Sequence, residues 1–324
     1  MCKAPIDNVV GMKTSVIIPT INRKETVLRL LACISAQTNL PAEIIIVEQG
    51  EIPWTASDLP TALQPTFRLI RLAPKSSALA RATGQKAASG EILFFFDDDI
   101  ILPNNYIEEA LHYLTANPTI MAIGGVYIDK TIQSRKPGSF VIGRLFGIYA
   151  DGRCNQLLAS GWADYVRGKY TEEISCAEWL FGCNIAVRAS TFSAVEFEAR
   201  MQAWSFLDDV FFGTVLKEKF GECMRILPDL RVIHDPPASG GEITLATLRM
   251  RIIHRFILWR DHIAKHHKLS LFRFLLGMAA NLLLMLKQER KIWVVTEHMK
   301  TFVFILRNLK MNWDKANEFI FSRY

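Results

Sequence analysis

The sequence predicts an α/β fold with a mostly parallel sheet flanked by helices. The apolar run Ile92–Phe96 lies between Gly90 and three aspartates, a length and setting typical of a strand buried on both faces. Similar short runs alternate with helix-period segments over the first 128 residues. Such alternation implies parallel strands joined by right-handed crossovers. The 324 residues suit one large domain with an extension.

The elements follow in order along the chain. Strands are predicted over residues 13–19, 43–47, 67–72, 92–96 and 120–128, and residues 51–65 are predicted as loop. Helices are predicted from Lys24, over residues 78–88 with Ser76 or Ser77 as the cap, and from Pro103. The first helix has one apolar face, made by Val27, Leu30, Leu31 and Ile34.

The second part of the chain is less regular. Glycines punctuate residues 129–176, which predicts short elements around a pocket for a second substrate. A helix is predicted over residues 206–220, with Leu207, Val210, Phe211 and Val215 as its apolar side. Two short strands, 224–227 and 230–233, then end at His234, and a linker at 238–241 separates residues 1–240 from a helical extension over 241–324.

Asp97, Asp98 and Asp99 stand where the buried strand leaves the sheet, the edge at which α/β proteins bind ligands. Adjacent carboxylates repel one another unless a cation or hydrogen-bond donors compensate. Mg²⁺ or Mn²⁺ carrying phosphate oxygens would do so, because hard cations prefer oxygen ligands. The alternative is an acidic turn that caps the helix predicted from Pro103.

The positive charge of the chain is concentrated in residues 241–324. Residues 1–240 carry 23 Lys and Arg against 26 Asp and Glu, a net charge of −3, whereas residues 241–324 carry 15 against 6, a net charge of +9. Arg249, Arg251, Arg255 and Arg260 fall largely outside the apolar face of the first helix in this extension, as in helices that lie on anionic membranes. The alternative is a helical subdomain packed on the core with solvated charges. No nucleic-acid motif accompanies the charge.

Compartment is predicted from three sequence features. The six cysteines include no Cys-x-x-Cys pair, which disfavours zinc and suggests a reducing compartment. No signal-peptide h-region stands at the N-terminus, and the apolar run 274–286 is shorter than the ~20 residues that span a bilayer. We therefore expect a cytoplasmic protein, peripheral on the inner face of the cell membrane.

A set of motifs, taken in order, resembles the family 2 glycosyltransferases. The motifs are Ser15-Val-Ile-Ile-Pro-Thr, Ile44-Ile-Ile-Val-Glu-Gln-Gly, Ala78-Leu-Ala-Arg-Ala-Thr-Gly, Ala88-Ser-Gly-Glu-Ile-Leu-Phe-Phe-Phe-Asp-Asp-Asp, Phe181-Gly-Cys-Asn, Leu207-Asp-Asp-Val and His234. They cover about residues 14–235. The resemblance implies the nucleotide-diphospho-sugar transferase (GT-A) fold, with a donor half over about 14–128 and an acceptor half over 129–240.

The resemblance also implies residue roles. Asp209 would be the general base, and Asp99 with His234 would hold the metal. Glu178, Trp179 and Asp208 would border the acceptor. The residues implied for donor binding are Thr20, Asn22, Glu48, Arg81, Asp97 and Asp98.

Three positions depart from the family pattern. Glu48 stands where the family usually has Asp, Ala82 replaces an Asn, and Asp208 replaces a Glu. The first departure bears on the expected contact with the nucleotide base.

Each of these residues also has a purely structural interpretation. Asp208 and Asp209 could cap their helix, and His234 could be a partly buried histidine with satisfied hydrogen bonds. Glu48 or Arg81 could be a surface charge. Trp179 could be a packing residue.

The function implied is metal-dependent, inverting transfer of a sugar from a nucleoside-diphosphate sugar to a hydroxyl of a glycan or lipid-linked acceptor. One alternative is a non-catalytic glycan- or membrane-binding protein that retains the fold. Another is an enzyme that synthesises sugar nucleotides, although the glycine-rich loop which that class uses is missing from residues 19–23.

Overall fold

The computed structural model describes residues 11–129, 141, 143–167, 170–235, 244–289 and 291–322. Their centre is an eight-stranded sheet with the order β3-β2-β1-β4-β9-β6-β10-β5. Its strands are β1 (Thr14–Thr20), β2 (Glu43–Glu48), β3 (Phe67–Arg71), β4 (Ile92–Phe96), β5 (Ile100–Ile101), β6 (Ala122–Asp129), β9 (Asn184–Arg188) and β10 (Met224–His234). A separate ribbon pairs β7 (Gln156–Leu157) with β8 (Ala163–Asp164).

The sheet is mostly parallel, as predicted. β3, β2, β1 and β4 run parallel to their neighbours, and so do β6 and β10. β9 is the main exception: it lies between β4 and β6 and is antiparallel to both. β5 also pairs antiparallel, with the end of β10.

Helices pack around this sheet, and apolar burial explains where they form. The helices are α1 (Lys24–Ser35), α2 (Ser77–Ala87), α3 (Tyr106–Ala116), α4 (Asp208–Phe220), α5 (Leu245–Leu258), α6 (Ser270–Glu289), α7 (Ile292–Arg307) and α8 (Trp313–Phe321). The buried face of α1 is the one predicted, and β1, β2 and β4 are buried along their whole length. Ser76 caps α2 by accepting a hydrogen bond from the Leu79 N–H group.

Several element predictions are corrected. The helix predicted from Pro103 begins at Tyr106, and residues 51–65 contain two short 3₁₀ helices, Ala56–Asp58 and Thr61–Thr66. The two strands predicted over 224–233 are the single strand β10, whose register shifts between Leu227 and Val232.

The predicted apolar side of α4 is confirmed for Val210 and Phe211 but omits part of the buried surface. Phe212 and Leu216 are buried with Val210 and Phe211, whereas Val215 is only partly buried. The helix is buried around most of its circumference, because it packs on the sheet side through Phe212–Phe197 stacking and on the C-terminal helices through Phe211 and Trp313.

The C-terminal helices form a packed layer, and two of the arginines predicted on its surface are buried. The Arg249 side chain has no exposed area; its Nε lies 2.5 Å from Glu297 Oε1, and its Nη1 donates to the backbone oxygens of Phe319 (3.0 Å) and Ser322 (2.9 Å). Arg255 is also buried, with its guanidinium 4.4 Å from the Trp162 ring centroid. Arg249 joins α5 to α7 and to the end of α8, and Arg255 packs on Trp162, so the prediction that they face a membrane is wrong for both.

Two further expectations concern the cysteines and membrane-spanning helices. Cys154 and Cys176 form a disulfide, where the sequence predicted separate thiols. Within the described ranges, no helix has the length and hydropathy needed to cross a bilayer. The predicted domain boundary at residue 240 and its linker lie outside the described residues.

Candidate functional site

The candidate site lies at the carboxyl ends of β1, β2 and β4. Thr20 and Glu48 are the last residues of β1 and β2 and are paired in register. Asp97 to Asp99 follow β4, which is parallel to β1. Parallel strands present these ends at one edge, so the polar residues after each strand converge there.

Asp98 and Asp99 both form an ion pair with the Arg23 guanidinium. Arg23 Nη1 lies 3.1 Å from an Asp98 oxygen and 3.2 Å from an Asp99 oxygen, and the Thr20 hydroxyl donates to Asp98 at 2.6 Å. Burial raises the pKa of Asp98 to about 6, against the opposing effects of Thr20 and Arg23. A single guanidinium therefore compensates a carboxylate pair that would otherwise repel.

Asp99 and His234 meet because β10 ends beside β5. In that register His234 lies opposite Ile100, and His234 Nε2 is 3.3 Å from Asp99 Oδ1. Burial alone would raise the pKa of Asp99, but the hydrogen bond and charge of His234, together with Arg23, lower it. The Asp99 carboxylate is therefore kept ionised, the form that binds a metal ion.

Arg81 joins Asp97, which follows β4, to Asp208, at the start of α4. It is buried on α2, where its Nη2 lies 2.6 Å from Asp97 and its Nη1 makes an ion pair with Asp208. Burial opposes the charge, but the nearby carboxylates raise the pKa of Arg81, so the guanidinium stays protonated. Arg81 is thus an internal bridge and not a surface charge.

Asp209 lies in the first turn of α4, next to this bridge. One carboxylate oxygen accepts from the Gly182 N–H at 3.1 Å and the other from the Val210 N–H at 2.9 Å. Burial, followed by the charge of Asp208, raises the pKa of Asp209 to about 7. Burial also raises the pKa of Asp208, against the effect of Arg81. Asp209 is only partly buried, so a substrate can reach a carboxyl group that titrates near neutral pH.

The loop before α4 is constrained. Ala203, Ser205 and Leu207 have positive φ angles of 52°, 50° and 70°, a region that non-glycine residues rarely adopt. Hydrogen bonds hold this loop on the start of α2: the Ser77 N–H donates to Ala203 O at 3.0 Å, and the Ser76 hydroxyl donates to Met201 O at 2.5 Å. The constraint fixes the position at which Asp208 and Asp209 enter the site.

Glu48 does not face open space, contrary to the expected contact with a nucleotide base. The residue is fully buried, and its carboxylate accepts from the Asn22 N–H (3.0 Å), the Gly50 N–H (2.8 Å) and Trp54 Nε1 (3.1 Å). A carboxylate with these partners shapes the loops around the pocket. Asn22, with φ of 53°, is held in the same network, and its side-chain oxygen accepts from the Glu51 N–H at 3.0 Å.

Glu178 and Trp179, which were expected to border the acceptor, have structural contacts. Trp179 is buried, with its ring centroid 5.3 Å from that of Phe181. Glu178 accepts from Lys217 Nζ at 2.6 Å and from the Leu157 N–H at 2.7 Å. The burial of Trp179 agrees with its interpretation as a packing residue.

Three residues at the site were not predicted. Arg23 follows Thr20 and Asn22 in the same loop, and its charge opposite three aspartates was a usable signal. Gly182 permits the close approach of Asp209, because a Cβ there would lie 3.2 Å from Asp209 Cβ. Trp204, 53% exposed, lies in the constrained loop four residues before Asp208. Gly182 had a signal, since it stands in the motif Phe181-Gly-Cys-Asn, whereas Trp204 had none.

The side chains of Asp99 and His234 suit one divalent cation that is also coordinated by oxygen atoms of a bound ligand. Asp99 and His234 supply an oxygen and a nitrogen, and Arg23 marks where positive charge is required. Among the residues that the structure describes, no group of three or more His, Cys, Asp or Glu is arranged around a common metal position. Mg²⁺ and Mn²⁺ sites that use one or two protein ligands take their remaining oxygens from phosphates and water.

Residues 15–156 match the family model of "Glycosyl transferase family 2". A curated relative, the "Uncharacterized glycosyltransferase YwdF" of Bacillus subtilis (strain 168), is 39% identical over 104 residues. That alignment covers 30% of this chain and 37% of the relative, so the similarity spans little more than a third of the relative's length.

Two solved structures share the fold. The mannosyltransferase PcManGT from Pyrobaculum calidifontis, in complex with GDP-Man and Mn²⁺, superposes with a TM-score of 0.50 and 17% identity over 98% of this chain and 88% of its own. GalNAc-T7, with UDP, GalNAc and Mn²⁺, superposes with a TM-score of 0.53 and 14% identity over 83% of this chain and 54% of its own. The chain therefore has the GT-A fold, and its residues 15–156 match the model of glycosyl transferase family 2.

Proposed function

We propose that this protein transfers a sugar from a nucleoside-diphosphate sugar to a hydroxyl group of a glycan or lipid-linked acceptor, with inversion at the anomeric carbon. The observation that carries the proposal is the Arg81 bridge. It ties Asp97, at the strand end where a donor would bind, to Asp208, which is next to a part-buried carboxyl group suited to act as base. The residues proposed to bind the donor and the proposed base would then lie on either side of Arg81, within one site.

On the donor side, Thr20, Asn22, Asp97 and Asp98 would line the nucleotide pocket. Asp98 is the aspartate that contacts Thr20, which favours it over Asp97 for the ribose side. Glu48 would act indirectly, by holding the loop that carries Asn22.

Asp99 and His234 would hold Mg²⁺ or Mn²⁺ together with the donor diphosphate. When bound, the metal would stabilise the charge that develops on the leaving diphosphate. Arg23 lies close enough to Asp98 and Asp99 to add a second positive charge there. Both solved neighbours are described with Mn²⁺ and a nucleotide or nucleotide sugar, which supports this assignment.

On the acceptor side, Asp209 would be the general base. The acceptor oxygen bonds to the anomeric carbon as the bond from that carbon to the diphosphate oxygen breaks, and the hydroxyl proton passes to the Asp209 carboxylate. A single displacement with one base inverts the configuration. A carboxyl group with a pKa of about 7 is matched to this task, because base strength and ionisation are balanced near neutral pH.

The proposal includes peripheral association with the inner face of an anionic membrane, supported by the net charge of +9 on residues 241–324. The burial of Arg249 and Arg255 removes two of the residues first expected to make that contact. A lipid-linked acceptor would give such an association a purpose.

The test begins with thermal shifts for a panel of nucleoside diphosphates and their sugars, with and without Mn²⁺. A ligand at 100 times its dissociation constant stabilises the folded state by about 2.7 kcal/mol. We expect one nucleotide to give a metal-dependent shift that Asp99→Asn abolishes and Asp229→Asn, an exposed control, retains.

The same panel separates catalysis from binding. Asp209→Asn should keep the nucleotide shift and lose transfer. Retained transfer in Asp209→Asn would remove Asp209 as the base. The absence of any nucleotide shift in the unaltered protein would favour the non-catalytic alternative.

A further inference from the structure

The structure leaves one long apolar surface on α6 (Ser270–Glu289). Its members, called here the apolar stripe, are Leu271, Phe272, Leu275, Ala279, Leu282, Leu283 and Leu286. At about 100° per residue these seven positions fall within an arc of about 120° along the helix. Leu271, Phe272 and Leu283 are 58%, 60% and 59% exposed. An unbroken apolar face of this extent marks an interaction surface.

The opposite face of α6 fixes the helix on the protein. Phe274 stacks on Trp259 with ring centroids 4.7 Å apart, and a Cβ at Gly277 would lie 2.5 Å from a ring carbon of Trp162. Met278 is buried on the same side. Close packing on one face means that α6 cannot bury its apolar stripe by rotating, so the stripe is presented outward.

The charged residues from Lys265 to Lys287 are all basic, and the first acidic residue after Asp261 is Glu289, the last residue of α6. Lys265 and Lys268 precede the helix, Arg273 lies in its first turn and Lys287 lies near its end. Lys265, Lys268 and Arg273 are exposed. An apolar helical face with cations at its ends matches a bilayer surface, whose interior takes apolar side chains and whose anionic headgroups attract the cations.

We propose that the apolar stripe of α6 inserts into the interface of an anionic lipid bilayer, with Lys265, Lys268 and Arg273 against the headgroups. This deepens the membrane association in the proposed function by naming its surface. A second copy of the chain fits less well, because pairing two stripes would bring basic helix ends close together. Insertion needs neither nucleotide nor metal, so it is measured separately from sugar transfer.

The experiment is co-sedimentation with vesicles of phosphatidylcholine alone and of phosphatidylcholine with phosphatidylglycerol. The unaltered protein should bind the anionic vesicles and dissociate as salt rises. Removing the three charges in Lys265→Gln/Lys268→Gln/Arg273→Gln should weaken binding by about fivefold for each charge. The matched control Lys75→Gln/Lys86→Gln/Lys219→Gln removes the same charge from exposed sites elsewhere and should weaken it much less.

Apolar contact is tested by Phe272→Ser/Leu275→Ser/Leu283→Ser. We expect loss of binding by at least about tenfold, since each buried methylene contributes to insertion, with an unchanged nucleotide shift. Leu40→Ser, at an exposed apolar residue in the loop between α1 and β2, is the control.

Three results would overturn the proposal. They are absence of binding to anionic vesicles, equal loss in the two charge variants, and a dimer in solution that the serine variant dissociates without vesicle binding. If the serine variant fails to fold, the charge variants still decide. If no nucleotide raised the melting temperature of the unaltered protein, the result would count against the proposed function but would not contradict membrane binding by the apolar stripe.

Discussion

Asp208→Asn should lower the pKa of Asp209 and move the acid limb of the pH–rate profile. The pKa of Asp209 rises from an ordinary value of 3.8 to about 7, first through burial and then through the charge of Asp208. A charge within about 4–6 Å typically shifts the pKa of a carboxyl group by about one to three units. Arg81 already offsets part of the Asp208 charge, so we expect a shift of about one to two units.

The assay is kcat/KM against pH at saturating metal. In the unaltered protein the rate should fall below pH 7, as Asp209 takes up a proton. In Asp208→Asn the limb should move to lower pH, because the neighbouring negative charge is gone while Arg81 remains near Asp209. Asp229→Asn should leave the limb in place.

An unmoved limb in Asp208→Asn would show that burial alone sets this pKa. A limb moved to higher pH would refute the reasoning, because it would mean that Asp208 acts on Asp209 chiefly by holding Arg81. Nucleotide thermal shifts on the same preparations show whether the variant keeps its donor site.

Three further predictions concern the same framework. Asp209→Asn should stabilise the protein at pH 8 by up to about 4 kcal/mol in denaturant titrations: the unfolded chain releases this proton near pH 4 but the native state holds it to about pH 7, so stability falls across that window only when the carboxyl group is present. Arg249→Met should cost about 3–5 kcal/mol by stranding Glu297 in the interior, and adding Glu297→Leu should recover much of it; a cost for Arg249→Met below 1 kcal/mol would contradict the buried pair. Gly182→Ala should reduce kcat by roughly tenfold to a hundredfold at little cost in melting temperature, since a Cβ 3.2 Å from Asp209 Cβ displaces the base; an unchanged kcat would show that Asp209 adapts.

Local patterns were enough to predict most of the sheet. The run Ile92–Phe96 is a buried strand because its length and bounding residues leave few other options, and the α1 face follows from helical spacing. The carboxylates after β4 were likewise predictable as a site, because parallel strands end at one edge. These features depend on neighbours in the sequence.

Long-range features were harder to predict. The meeting of Asp97 with Asp208 depends on Arg81, and sequence alone cannot distinguish a buried bridging arginine from a surface one. The same limit applied to Arg249, whose partner Glu297 lies 48 residues away. Glu48 was placed at the correct strand end, but its three hydrogen bonds depend on loops that periodicity does not describe.

The position of β9 has a consequence for how the chain is made. β9 lies between β4 and β6, with Phe96 opposite Asn184 and Ile92 opposite Arg188, and the Asp97 N–H donates to Cys183 O at 3.1 Å. A growing chain that has reached Asp129 already contains β4 and β6 but has no strand to join them. Residues 11–129 therefore emerge with β4 unpaired on one edge and β6 unpaired on both, and the sheet cannot close until β9 and β10 have been synthesised. We therefore expect a fragment that ends at 129 not to fold by itself, because β6 gains its partners only from strands that come later in the chain.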